Sequence, residues 1–194
     1  MAHARFWIIL GTVLALSQAA HAVDVPFSGT LTANDPVFNR PLSGNPPSSL
    51  SGVGTAVSYD VLPFYVTVND TYLAETLSAT LSPGTADDTF IVLYQTAFNA
   101  ATPLANAVIA DDDTGTGSLS LFTKALTAGT QYYLVITTFS NGALGAYTGH
   151  LDSTTGLGQV VLGSVVPEVP TSAMMLGALG ALGLLLRRRQ NPAR

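Results

Sequence analysis

Two short acidic runs, Asp87-Asp88 and Asp111-Asp112-Asp113, are the densest grouping of reactive side chains in this sequence. Neither has a lysine or arginine beside it, and crowded carboxylates favour either a bound cation or partial protonation. Calcium suits such loops, because it takes roughly six to eight oxygens from carboxylates, carbonyls and water. If the two loops meet at one end of the fold, five carboxylates converge. The EF-hand spacing D-x-D-x-D-G is absent, since three consecutive aspartates alternate direction along an extended chain. The everyday use of aspartate in "SPGTADD" and "DDDTGTG" is to close turns.

Catalytic candidates are few. His150 is the one histidine left once His3 and His21 are removed with a leader, and Glu75 is the one glutamate between residues 23 and 158. A Ser-His-Asp arrangement would have to use His150, but no G-x-S-x-G elbow is present. A glycosidase pair would need a second carboxyl beside Glu75, and the aspartates sit in turn-like stretches. The chain has no cysteine, which excludes thiolate metal sites, cysteine nucleophiles and disulfides. The expectation is a protein that is not an enzyme.

The elements that would position these residues lie between two special ends. "MAHARFWIILGTVLALSQAAHA" has a basic start, an apolar stretch from Phe6 to Leu16 and Ala20-His21-Ala22, the pattern of a secretory signal peptide over 1–22. This stretch of eleven residues is too short for the roughly 20 that a membrane helix needs. At the other end, "VPEVPTSAMMLGALGALGLLLRRR" joins a Pro-Glu motif to an apolar run over 171–186 and to Arg187, Arg188 and Arg189. That run of 16 residues makes about 24 Å of helix, short of a hydrocarbon core of about 30 Å. Ala173, Gly177 and Ala181 give it a small-residue face for a partner helix, and the arginines place the tail 187–194 in the cytoplasm. It reads as a temporary transmembrane helix. Residues 159–170 form a linker carrying the motif.

Between the ends, 23–158 holds two basic residues, Arg40 and Lys124, against eleven acidic ones, a net charge of −9. Such a surface repels phosphate backbones and excludes nucleic acid as a partner. The stretches "VPFSGTL", "YDVLPFYVTV", "TYLAETLSATL", "TFIVLYQ", "ANAVIA", "SLSLFTKAL", "QYYLVITTF" and "GAYTGHL" read as strands, separated by Gly, Pro, Asn and Asp clusters. "QYYLVITTF" is apolar on both faces and is predicted to be a central strand covered on each side. The predicted fold is all-β, a jelly-roll-like β-sandwich. Segment 35–56, rich in Pro and Gly, is predicted to be a long surface loop. The tyrosines fit core packing better than a sugar platform, and the lone Trp7 falls in the leader.

Two resemblances follow from these residues. Val166-Pro167-Glu168-Val169-Pro170, the apolar run and the arginine cluster together resemble the PEP-CTERM sorting signal of Gram-negative bacteria, with Val169 where a proline usually follows the glutamate. The resemblance implies Val166, Pro167, Glu168, Pro170 and Arg187 to Arg189 as the sorting and processing elements. It also implies an exosortase-type membrane peptidase as partner and a link to exopolysaccharide, biofilm or floc formation. The middle, from "YDVLPFYVTVNDTY" through "DDTFIVLYQTAF" and "ADDD" to "LTAGTQYYLVITTF" and "GAYTGHL", is similar to the bacterial pre-peptidase C-terminal domain, a β-sandwich. The expected protein is exported by signal peptidase and the secretion machinery, held in the inner membrane as a precursor, then placed at the cell surface or in the matrix. The alternatives are a calcium-assisted module binding extracellular polysaccharide, and a secreted hydrolase.

Overall fold

The computed structural model describes residues 24–84 and 86–165. The signal peptide, the motif residues Val166, Pro167, Glu168 and Pro170, the apolar run 171–186 and Arg187 to Arg189 lie outside the described residues. Among the described residues no helix is long and apolar enough to cross a membrane.

The chain is all-β. In order, β1 spans Val25–Leu31, β2 Val37–Phe38, β3 Val57–Ser58, β4 Asp60–Val66, β5 Asp70–Ser82 and β6 Thr89–Gln95. Then come β7 Ala107–Asp111, β8 Leu121–Leu126, β9 Tyr132–Thr138, β10 Leu144–Ser153 and β11 Val160–Leu162. Four strands form one antiparallel sheet in the order β1-β10-β5-β8, and five form another in the order β11-β4-β9-β6-β7. One apolar core joins them: Leu31, Tyr72, Phe122, Tyr147 and Leu151 from the first sheet pack with Phe64, Ile91, Leu93, Leu134 and Ile136 from the second. This is a sandwich-like arrangement, with side chains alternating inward along each strand.

The eight predicted strands all form, and β1 and β6 match their predicted residues end to end. Two short elements, β2 and β3, were not predicted, and β11 opens the segment expected to be linker. The folded unit therefore runs past residue 158, because Val160 joins the core and β11 pairs with β4.

The five-stranded sheet is buried on both sides. Tyr132, Leu134 and Ile136 of β9 face the inter-sheet core, while Tyr133 and Val135 face a second cluster with Phe38, Val57, Phe90, Val92, Tyr94 and Phe98. That second face is closed by segment 35–56 and its flanks, which act as a third layer. Gly44 exchanges two backbone hydrogen bonds with Ala110 at 3.0 and 2.9 Å, and Pro41 bridges Leu50. Asn141 grips the far end, accepting from Ala56 N–H at 2.7 Å and donating to Thr55 Oγ1 at 2.8 Å. The loop is thus packed and hydrogen-bonded, because the apolar alternation of β6 and β9 leaves a second face that water cannot be allowed to reach.

Its central staple is Arg40, 1% exposed. The guanidinium carbon lies 4.0 Å above the Phe90 ring and 4.7 Å from that of Phe139. Nε donates to Phe139 O at 3.0 Å and Nη1 to Pro41 O at 3.1 Å. Arg40→Ala should cost about 3–5 kcal/mol, since it unpacks both rings and strips a buried counter-charge. Arg40→Lys keeps the charge without the planar stack and should recover part of that loss. Hydrogen exchange provides the check: faster exchange of residues 40–56 is expected in both variants, and unchanged exchange there would show that Arg40 does not hold this layer.

Candidate cation site

The acidic runs sit at one end of the two sheets, where the β5–β6 turn meets the β7–β8 loop. A buried hydroxyl knot ties these segments. Thr76 Oγ1 of β5 lies 2.8 Å from Thr89 Oγ1 of β6, and Ser120 N–H reaches both hydroxyls at 3.0 and 3.1 Å. Thr76 N–H in turn donates to Ser120 O at 3.0 Å. Side chains that would otherwise be unsatisfied in the interior thereby fix where each acidic run begins and ends.

Only three of the five aspartates come together. Asp88, Asp112 and Asp113 each place one carboxylate oxygen within 4.8 Å of the other two. Ligands on opposite sides of a calcium ion, at about 2.4 Å each, would lie about that far apart. The other two serve the backbone. Asp111 accepts from Thr114 Oγ1 at 2.6 Å, Thr114 N–H at 3.2 Å and Leu121 N–H at 2.8 Å, closing the β7–β8 loop. Asp87 accepts from Ser118 N–H at 3.4 Å. Its carboxylate also lies against Gly117, whose φ of +72° and crowding leave no room for a side chain.

Electrostatics separate the three carboxylates further. Burial, then Asp113, pushes Asp112 up to about 6, with Arg40 pulling the other way. Burial and Asp113 also raise Asp88. Asp112 Oδ1 is buried and has no hydrogen-bond partner among the described residues. Arg40 is held below the usual arginine range by desolvation, which Asp112, Asp88 and Asp113 partly offset. The site therefore contains one built-in cation facing three carboxylates and, fully ionised, keeps a charge of −2, which one divalent ion would neutralise. Its geometry and charge suit a bound cation.

His150 and Glu75 also meet, as cross-strand partners of β10 and β5 on the outer face of the four-stranded sheet. His150 Nε2 is 3.5 Å from Glu75 Oε1, and Nδ1 is 3.9 Å from Asp24 Oδ1. Among the described residues no hydroxyl donates to or accepts from this histidine, whose near neighbours are the two carboxylates. Of the tyrosines, Tyr72, Tyr94, Tyr132 and Tyr147 are core residues. Tyr147 crosses between the sheets over Gly29 to donate to Asp60 at 2.7 Å.

Arg40 and the hydroxyl knot were not foreseen as parts of this site. One signal for Arg40 was available: it is one of two cations in a strongly acidic domain, next to a proline in a segment otherwise poor in charge. No protein-family model matches the chain, and no characterised protein compared with it is significantly similar.

Asp112 binds its proton more tightly in the folded state than in the unfolded chain, where its value is 3.8. Metal-free protein should therefore gain stability as pH falls below about 7, with most of the gain between about 6 and about 4, the window between those two values. Asp112→Asn should raise stability at pH 7 by about 1–2 kcal/mol, allowing for solvent screening, and flatten that slope. Thermal melts across this range read both effects, and a wild-type midpoint that falls steadily from pH 7 to 5 contradicts them. At pH 7, millimolar calcium should raise the wild-type midpoint over that in EDTA and leave Asp112→Asn nearly unmoved. Equal wild-type midpoints would exclude a calcium site.

Proposed function

We propose that this chain is an exported, non-enzymatic protein of a bacterial cell surface or extracellular matrix. It is made as a membrane-anchored precursor and processed by an exosortase-type peptidase at the Val166-Pro167-Glu168 motif. The observation that carries this reading is the ordered tail: Pro-Glu motif, apolar run of sub-membrane length, then Arg187-Arg188-Arg189, in a chain opened by a signal-peptide pattern. A cargo domain for such a tail must end before the motif, and this one, without cysteine, folds without disulfides. The described fold ends its last strand at Leu162.

We assign the domain as a jelly-roll-like sandwich. With β2, β3 and β11 set aside and the remaining eight strands renumbered, the sheets run 1-8-3-6 and 2-7-4-5, the order of that fold. Exopolysaccharide, biofilm or floc formation is the setting that the PEP-CTERM resemblance implies. The second reading, a calcium-assisted module for extracellular polysaccharide, is favoured by one observation, the convergence of Asp88, Asp112 and Asp113.

Intact-mass measurement of the protein recovered from its native host tests the main reading. The expected mass corresponds to a chain that starts at Val23 and lacks Arg187 to Arg189. A mature protein that retains those arginines overturns it.

A further inference from the structure

We infer that Gln131 is a latch holding the chain just before the processing motif, and that this latch must open before the tail can be cut. The proposal rests on the sorting reading above. Gln131 lies immediately before β9, and its one amide binds four backbone groups. Nε2 donates to Phe64 O at 3.0 Å, to Tyr132 O at 3.0 Å and to Gly163 O at 3.3 Å. Oε1 accepts from Val165 N–H at 2.7 Å. Two of these partners belong to the sheet and two to the segment following β11, so the side chain joins one to the other. Gly163 N–H adds a bond to Pro63 O at 2.8 Å, made possible by a φ of +108° that favours glycine.

The motif begins at the next residue, Val166. A peptidase cutting beside Pro167 would bind the preceding residues as an extended strand, at about 3.3–3.6 Å per residue. Three residues back from that bond span only about 10 Å, and the third is Val165. Its N–H is already given to Gln131, and the backbone beyond it is held against the sheet edge. The same N–H cannot serve both the latch and the enzyme. Release of Gly163 to Val165, leaving the rest of the sandwich folded, is the smallest opening that frees a cleavable length. Local openings of this kind are the low-cost end of a protein's stability range.

The test uses the full chain in a host that carries the processing peptidase, with tail loss followed by pulse–chase and intact mass. Gln131→Ala should lose its tail about tenfold faster than wild type, the change expected from removing roughly one to two net hydrogen bonds. Inserting Gly-Ser-Gly-Ser between Val165 and Val166 leaves Gln131 and the fold untouched, and should accelerate tail loss similarly by supplying slack. Acceleration by Gln131→Ala without acceleration by the insertion would mean general destabilisation, and overturns the latch. Equal rates in all three chains also overturn it, while the sorting reading stands. A second arm is independent of the host. Added proteinase K should trim wild type no further back than Val165 and Gln131→Ala back toward Leu162. Identical end points overturn the latch, whether or not the host removes the tail.

Discussion

A buried guanidinium that ties the covering segment to the five-stranded sheet is the constraint that organises this molecule. Arg40 touches the five-stranded sheet through Phe90, the turn after β9 through Phe139, and its own segment through Pro41. Burying a charge is costly unless it is stacked, hydrogen-bonded and electrically matched; Arg40 is stacked and hydrogen-bonded, and it is matched electrically in part. The match comes from Asp88, Asp112 and Asp113. Those carboxylates suffer in turn from burial and from one another, so each side of the arrangement reduces the cost of the other.

This explains why a segment rich in proline and glycine becomes a structural layer. Strand β6 is buried at six consecutive positions, which is impossible for a two-layer protein with one wet face per sheet. Something must cover Phe90, Val92 and Tyr94, and the chain supplies Phe38, Val57 and Phe98, with edge-to-face contacts among Phe38, Tyr59 and Phe98 at 5.1–5.6 Å. Prolines prevent the covering segment from adding a strand of any length, so its own backbone groups are met singly. Ser51 N–H bonds to Arg40 O at 2.8 Å, and Arg40 N–H to Gly54 O at 3.0 Å.

How much of this was legible follows from the range of the forces involved. The strands were readable because alternation and turn chemistry are local: "TFIVLYQ" is β-branched and aromatic, bounded by Asp88 and Thr96, and needs no distant information. The burial of β9 on both faces was readable for the same reason, though what covered the second face was not. β2, β3 and β11 escaped because two or three residues carry no period, and they exist only through their partners. The acidic site was half legible. Composition brought five aspartates into view, but an aspartate that caps a loop, such as Asp111, looks the same in sequence as one that faces its neighbours, such as Asp112. Gln131 gave no sign at all, because its role depends on three backbone groups from distant segments.

The same economy governs the sheet edges, where unpaired backbone invites pairing with another copy. β7 is closed by Gly44 of the covering segment. β8 carries Lys124, whose ammonium donates to Asn45 Oδ1 at 2.5 Å, so that one edge is guarded by charge and tied to the loop that guards the other. β1 contains Pro26, which removes a donor from its edge, and β11 is three residues long. Residues of β1 and β4 line one cleft, with Phe27 and Ser28 on one side and Asp60 and Leu62 on the other, which puts the β1 and β11 edges on the same flank of the sandwich. The first and last strands are therefore both sheet edges, and β11 is paired over only three residues. Beyond β11, which pairs with β4, the Gln131 amide joins Gly163 and Val165 to the sheet.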